Sequence, residues 1–369
     1  MENRTKNLQT ILAFFAPETR APGGAKLRAK LFSDTGIKQV CYPIAPDHTG
    51  NAPEIPAKEL LETQPDVNTA LDLDCVIWAT EDPCCFRAET VEQGTLTLCG
   101  KTGPFRGYSL HTFLVRDGKI EAWRVFPNTF TVYPTLGLEV TDARGPAPEG
   151  GMSPMEMPPE MAKGMAENSR RISRELLPTL ALKDAEPVSA GGGKVRLKVY
   201  DGFDPADEPL REKNRQAVKL YFDKDGRDAL HISRNDLFTE DGLTEIPVDH
   251  MSPLSTEPHG FTTKPGPNTN PADPYWRTDI IRFDATARPD TFWVETRSYH
   301  VDSAPETPLP GMPTYTSRAY WNNYNFFFQV RDGKIYYCRE FLDPRSERRV
   351  MGIAETPLPQ GALDIYRYL

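Results

Sequence analysis

The sequence is poor in the features that mark several large classes of protein. Its 369 residues contain no apolar run near the ~18 residues that a membrane-spanning helix needs. Lysine and arginine number 43 against 52 aspartate and glutamate residues, a formal charge of −9, so we expect neither nucleic-acid nor membrane binding. The opening segment, MENRTK, lacks the basic-then-apolar pattern of a secretory signal, and we expect a cytoplasmic protein.

Cysteine is scarce and has no metal-binding arrangement. The six cysteines include no Cys-x-x-Cys pair, and no histidine stands at metal-ligand spacing from them. The adjacent Cys84 and Cys85 lie in a segment that is typical of a strand. We therefore predict free thiols in a reducing compartment and no metal site.

A sequence block near residue 115 recurs near residue 330. Residues 113–120 read FLVRDGKI and residues 328–335 read FQVRDGKI, and each predicts two strands joined by a tight Asp-Gly turn. After this block, RVFPN at 124–128 in the first copy corresponds to REFLD at 339–343 in the second. Five such blocks follow one another in the same order, so we infer that the chain is a tandem duplication.

Each copy places helices before hairpin-linked strands, a pattern that predicts an α+β fold with a bent antiparallel sheet packed on helices. A chain of this length is long enough for two cores. We predict a first domain over 1–145, a linker with one helix over 146–195, and a second domain over 196–369.

The second copy predicts one long helix and four strands. The helix is expected from Pro209 to Phe222, with Asp207 as its cap. The strands are expected at 276–283, 292–301, 320–330 and 334–341.

Several separated motifs of the second copy resemble the phenazine-biosynthesis A/B family, which has the nuclear transport factor 2-like (SnoaL-like) fold. The motifs are REKNRQAV at 211–218, LFTEDG at 237–242, FWVE at 292–295 and REFLDP at 339–344. The resemblance implies a cone-shaped domain with an internal pocket. It also implies dimeric relatives that condense two amino-ketone molecules, so a fused tandem would form a covalent pseudo-dimer that could pair further.

Glu340 is the predicted catalytic acid–base group. Strand alternation places it on one face with Tyr336 and Cys338, and places Arg339 on the other. Shielding from water on that face would raise the pKa of its carboxyl group towards neutrality. The resemblance assigns the glutamate of Arg-Glu-Phe to acid–base catalysis; the alternative is a solvated glutamate paired with a surface arginine.

The first copy has Val125 at the position of Glu340, so its pocket is expected to be a scaffold or a degenerate binding site. Glu121, four residues earlier, is expected on the same inward face and could substitute for the missing acid. The resemblance further implies that Arg28 and Arg234 each reach across into the partner pocket. Arg28 would then serve Glu340, while a surface helix-capping role is the alternative for both arginines.

The family carries a histidine on a pocket helix, but the corresponding stretch here, 251–274, is too rich in proline and glycine for a helix. His259 is the nearest candidate to replace that histidine. Five further residues are expected to line the second cone as substrate-binding groups: Trp276, Tyr320, Asn323, Tyr324 and Tyr336.

These expectations predict an enzyme of secondary-metabolite biosynthesis. It would promote condensation, cyclisation or dehydration of a nitrogen-containing or carboxylated small molecule through an imine, with no cofactor. A polyketide-type cyclase or dehydratase acting by an aldol route is one alternative. A non-catalytic protein that binds a reactive intermediate is another.

Overall fold

The structure is a computed structural model, and it describes most of both copies. The described residues are 2–41, 52–63, 68–128, 130–138, 182, 185–189, 193–245, 276–300, 321–343, 358–359 and 362. They fall into two compact units. The first unit contains residues of 1–140, 177–201 and 356–369, and the second contains residues of 202–355.

The first unit combines short helices with one mixed sheet. Its helices are α1 (Glu2–Phe14), α2 (Gly24–Ala29), α3 (Ala57–Glu62) and α4 (Tyr133–Leu136). Its strands are β1 (Phe32–Val40), β2 (Ile55–Pro56), β3 (Asn68–Ala79), β4 (Cys85–Leu98), β5 (Lys101–Arg116), β6 (Lys119–Pro127), β7 (Val188–Ser189) and β8 (Lys194–Tyr200).

The order across this sheet is β2-β1-β6-β5-β4-β3-β8-β7. The strands from β3 to β6 are antiparallel neighbours, whereas β1 runs parallel to β6 and β8 runs parallel to β3. The sequence predicts that the second domain begins at 196, but residues 194–200 form a strand of the first sheet.

The second unit repeats this plan with fewer described strands. Helix α5 (Glu208–Phe222) and helix α6 (Lys224–Ala229) precede β9 (Phe238–Glu245), β10 (Trp276–Ala285), β11 (Thr291–His300), β12 (Trp321–Arg331) and β13 (Lys334–Phe341). The sheet order is β10-β11-β12-β13-β9, with β9 parallel to β13. Reversed, this is the order β1-β6-β5-β4-β3 of the first unit, and the predicted α+β class is confirmed.

Equivalent hydrogen bonds recur in the two units. The side-chain amide of Asn7 donates to the Pro83 carbonyl at 3.2 Å, and that of Asn214 donates to the Pro289 carbonyl at 3.0 Å. Each bond joins the first helix of its unit to the turn between two strands. The duplication inferred from the sequence therefore extends to the contacts that seat each helix on its sheet.

One face of each sheet is covered by the long helix of its unit, and we call it the inner face. In the first unit, Phe14 of α1 packs against Phe113 and Trp123, with ring centroids 5.1 and 4.9 Å apart. In the second unit, Tyr221 of α5 packs against Phe328 at 5.1 Å. Burial of each such aromatic side chain stabilises the fold by roughly 1.5–3 kcal/mol.

Two details of the second unit differ from the sequence prediction. Helix α5 begins at Glu208, one residue early, and the Asp207 side chain makes no capping hydrogen bond. Instead, Asp204 caps the preceding 3-10 turn by accepting from the Ala206 amide.

The helix expected in the linker lies outside the described residues. Among those residues, no helix combines the length and apolarity needed to cross a bilayer.

Replacing Gly193 by alanine should destabilise the first unit. Gly193 has φ +137°, and a Cβ there would lie 2.3 Å from the Leu71 carbonyl oxygen on β3. We expect a loss of about 1–3 kcal/mol in the free energy of unfolding, together with faster hydrogen exchange along β8. Gly202→Ala is the control, because a Cβ there meets no atom within 4 Å. Equal effects of the two variants would contradict the assignment of β8 to the first sheet.

Candidate functional site

The last strand of the second unit contains a β-bulge that corrects the predicted alternation. Ile335 lies opposite Val330 and Tyr337 lies opposite Gln329, so Tyr336 is an extra residue on β13. As a result, Ile335 shares the inner core with Cys338 instead of facing away from it. Beyond the bulge the alternation holds.

Glu340 lies on the inner face of the second sheet. Its cross-strand partner is Phe326, and directly opposed residues of a sheet point to the same side. Phe326 packs against Tyr221 and Phe222 of α5, with centroids 5.9 and 5.1 Å apart. The Glu340 side chain is partly exposed, while the ring of Phe326 beside it is buried.

Electrostatic effects show which groups lie near this carboxyl group. Burial raises the pKa of the Cys338 thiol well above its ordinary value, and the negative charge of Glu340 raises it further. The positive charge of Arg234 lowers the same pKa. Arg234 lies over the Tyr221 ring at 4.5 Å and donates from Nε to the Tyr221 carbonyl at 3.0 Å. The inner face thus brings together a carboxyl group, a thiol, a phenol and a guanidinium.

Two buried hydroxyl groups extend this polar surface. Thr244 lies opposite Cys338 and Thr296 lies opposite Tyr324. Neither hydroxyl has a hydrogen-bond partner in the part of the chain that the structure describes. Because a buried hydroxyl without a partner is unfavourable, both are suited to contact a polar ligand.

The arginine and phenylalanine of the Arg-x-Phe motif, which both copies share, pack on the outer face of each sheet, opposite the long helix. Arg339 is fully buried there, with its guanidinium 4.8 and 5.3 Å from the rings of Phe327 and Phe341. In the first unit Arg124 lies 5.5 Å from the Phe126 ring. The shared arginine and phenylalanine therefore belong to the outer face, and only the middle residue of the motif faces the interior.

The other predicted site residues of the second sheet do not share one face. Tyr324 lies on the inner face, with its ring stacked on Phe326 at 5.8 Å. Asn323, the preceding residue on the strand, is buried on the outer face opposite Arg297. Tyr336 is the bulge residue, and its ring lies 5.3 Å from the guanidinium of Arg331 near the hairpin end.

Three predicted residues cannot be placed as side chains. Trp276 is the first residue of β10, and its backbone pairs with His300. Its side chain, and the whole of His259 and Tyr320, lie outside the described residues.

The described contacts of the two predicted arginines are with residues of their own units. Arg28 is buried, with its guanidinium 5.5 Å from the Phe14 ring. Burial and the neighbouring Arg20 lower the pKa of Arg28 to about 10, and Glu92 opposes them. Arg234 has the contacts with Tyr221 given above. The cross-copy role of Arg28 stays a prediction.

Glu121 does not take the place of the missing acid in the first unit. Ile120 lies opposite Val115 and Ala122 opposite Leu114, so Glu121 is the extra residue of a bulge equivalent to that at Tyr336. Its carboxyl group pairs with Arg116 at 3.1 Å, close to the hairpin turn. The inward placement expected from simple alternation is therefore wrong.

Instead, two residues that sequence reasoning missed lie on the inner face of the first sheet. His111 lies opposite Val125, where the second unit has Phe326 opposite Glu340. Lys38 lies opposite Trp123, where the second unit has Thr244 opposite Cys338. Strand alternation from Phe113 could have placed His111. No signal marked Lys38, because a strand lysine is ordinarily at the surface.

The hydrogen bonds of His111 fix it as a neutral imidazole. The Trp123 indole N–H, which is only a donor, donates to His111 Nδ1 at 3.0 Å. The proton therefore resides on Nε2, which lies 2.9 Å from the Thr90 hydroxyl. Burial, the largest effect, lowers the pKa of His111 to about 3, and the charges of Arg20 and Arg28 act in the same direction. This histidine orients the interior and does not exchange protons near neutrality.

A cleft of about 580 Å³ lies elsewhere in the first unit, beside β3 and β8. Arg196 of β8 donates from Nε to Asp74 at 2.6 Å, and Asp72 accepts from the Lys194 amide at 2.8 Å. These charged groups hold β8 against β3, so the cleft is a feature of strand pairing. The described residues contain no cluster of side chains suited to a metal ion.

His111 should make the first unit acid-sensitive. The folded-state pKa of about 3 is far below the ordinary value, so between about pH 6.5 and pH 3 the unfolded state binds more protons. The free energy of unfolding should fall by up to about 1.4 kcal/mol per pH unit in that window. His111→Phe, which copies the second unit, should flatten this slope in urea titrations at several pH values. The exposed His231→Asn is the control, and an unchanged slope in His111→Phe would contradict the assignment.

Comparison with known proteins identifies the family of the second copy. The family model for phenazine biosynthesis protein A/B matches residues 195–363. Phenazine biosynthesis protein PhzA of Pseudomonas fluorescens is 32% identical over 152 residues, 41% of this chain and 85% of the relative. PhzB1 of Pseudomonas aeruginosa is 32% identical over 160 residues, 43% of this chain and 90% of the relative.

Among solved structures, a phenazine biosynthesis-related protein (phzb2) from Pseudomonas aeruginosa is 23% identical, with a TM-score of 0.33. That alignment covers 39% of this chain and 88% of the solved one. The sequence matches extend over most of the length of both relatives, and the range that the family model matches includes β13. Through its second copy, the chain belongs to the phenazine biosynthesis protein A/B family.

Proposed function

We propose that the second unit is an acid–base enzyme of secondary-metabolite biosynthesis. It would condense, cyclise or dehydrate amino-ketone-like molecules through an imine. The observation that carries the proposal is the carboxyl group of Glu340, which lies on the helix-covered face of the sheet beside Cys338 and Phe326. Membership of a family named for phenazine biosynthesis supports the substrate class.

The chemistry needs one group that can both give and accept a proton. When an amine adds to a ketone, the resulting carbinolamine must lose its hydroxyl group as water. Glu340 in its acid form would protonate that hydroxyl, and the carboxylate would then remove a proton from nitrogen or from the adjacent carbon. Its partial exposure would let the carboxyl group exchange protons with solvent between turnovers, and these steps use no cofactor.

An arginine near Glu340 would bind a carboxylate of the substrate. Arg234 fits this role, because its guanidinium lies over the ring of Tyr221, which packs against Phe326, the cross-strand neighbour of Glu340. A guanidinium can bind a carboxylate through two parallel hydrogen bonds, which also fixes the orientation of the ligand. Thr244 and Thr296 would supply neutral hydroxyl groups on the same face.

Glu340→Gln should lower kcat by about 10²–10⁴-fold, because the amide cannot exchange a proton at neutral pH. The measurement is self-condensation of a cyclic 2-amino ketone that carries a carboxylate, corrected for the uncatalysed rate. Glu240→Gln, an exposed glutamate of the same unit, is the control.

Unchanged turnover in Glu340→Gln, with wild-type circular dichroism, would contradict the acid–base role. Tight binding of the amino ketone together with turnover at the uncatalysed rate in the wild-type chain would instead identify a carrier of reactive intermediates.

The two arginines can be distinguished by matched variants. If Arg234 binds the substrate carboxylate, Arg234→Lys should raise KM about tenfold for the carboxylated amino ketone but not for its decarboxylated analogue, because lysine lacks the bidentate fork. Arg28→Lys should then leave both KM values unchanged. The opposite pattern would support the cross-copy role that the family resemblance implies for Arg28.

A further inference from the structure

The first unit contains a buried amine that the proposed function does not use. Lys38 lies on β1 in the middle of the inner face, and its side chain is 0% exposed. The Nζ atom lies 3.8 Å from the centre of the Trp123 ring. Nζ has no hydrogen-bond partner among the described residues.

The fold does not require a lysine at this position. In the second unit the equivalent residue is Thr244, which occupies the same register position opposite the last strand. The helix-covered aromatic interior is nevertheless formed in both units. The lysine is therefore a specific property of the first interior, for which the sequence predicts a scaffold or degenerate site.

The charged and titratable groups around Lys38 disfavour an ammonium ion. Burial lowers the pKa of Lys38 most, and the charge of Arg28 lowers it further. The charge of Glu92 raises the same pKa. The Glu92 carboxylate is itself paired with Arg20 at 2.5 Å. The imidazole of His111 offers no lone pair, because its Nδ1 already accepts from the Trp123 indole.

A buried ammonium ion without hydrogen-bond acceptors is strongly unfavourable, so this setting favours the neutral amine. A neutral amine has a free lone pair on nitrogen. Lysines that are desolvated or lie beside another cation are the ones that form imines with carbonyl compounds.

We propose that Lys38 is a nucleophilic amine that forms an imine with an aldehyde or ketone, at a site in the first unit separate from that of Glu340. The positive charge of Arg28, which acts on Lys38, favours a carbonyl compound that also carries a carboxylate. The flat face of Trp123 lies beside the reacting nitrogen and suits a planar carbonyl group. The first unit is thus a second functional site of different chemistry.

The reaction balances without an oxidant or a reductant. The Lys38 nitrogen forms a C–N bond to the carbonyl carbon, and the π electrons of the C=O bond move to oxygen. The two amine protons then leave with that oxygen as water, and the C=N bond of the imine remains. Hydrolysis by water reverses each step and releases the carbonyl compound and the amine.

The test is reductive trapping on the full chain. The protein is incubated near neutral pH with glyoxylate and cyanoborohydride, digested, and mapped by mass spectrometry. We expect Lys38 to gain one carboxymethyl group at least ten times faster than the exposed Lys26, which serves as the internal comparison. Acetaldehyde, which lacks the carboxylate, should label Lys38 more slowly than glyoxylate.

Two controls keep the outcome decisive. Lys38→Met should abolish the fast labelling while Lys26→Met leaves it unchanged. Labelling of Lys38 should vary less than twofold between about pH 6 and pH 9, whereas that of ordinary lysines rises with pH. Glu340→Gln should label like the wild type, so failure of the acid–base proposal and failure of this one are distinguishable.

Labelling of Lys38 no faster than of Lys26 would overturn the proposal. So would labelling that rises with pH in parallel with the surface lysines, because the amine would then be an ordinary ammonium group at neutrality.

Discussion

In both units, aromatic side chains on a long helix pack against one face of a β-sheet, and this contact makes a shielded interior. Phe14 and Tyr221 are the equivalent anchors, and each packs against the phenylalanine three positions before the shared RDGK turn. Shielding from water changes the proton affinity and reactivity of any polar side chain that a strand directs into this interior. A carboxyl group, an imidazole or an amine placed there loses its hydration and depends on the few partners that the interior provides.

The two-residue period of the last strand explains how the copies could diverge in chemistry and keep the same fold. Arg339 and Phe341, like Arg124 and Phe126, belong to the outer face, where arginine and aromatic groups pack together. The residue between them belongs to the inner face. Exchange of glutamate for valine at that position changes the interior and leaves the outer face intact.

The two interiors consequently contain different titratable groups. Around Glu340 the described groups are a thiol, a phenol and an arginine, which suits proton transfer to and from a polar ligand. The first interior has lost the acid and contains Lys38 beside Arg28, with a neutral histidine held by Trp123 and Thr90. An acid in one unit and an amine in the other are the two groups that imine chemistry uses most directly.

Local patterns in the sequence were sufficient for the repeat, the α+β class and the inward placement of Glu340, because tight Asp-Gly turns and strand alternation depend on near neighbours along the chain. The family followed from the resemblance of several separated motifs. The bounds of β13 were predicted without error. Tertiary structure decided the rest. Bulges at Tyr336 and Glu121 shift the alternation by one residue, and β8 joins the first sheet by pairing with a strand more than a hundred residues away. The neutrality of His111 and the isolation of Lys38 likewise arise from side chains on other strands and helices, which no single segment of sequence contains.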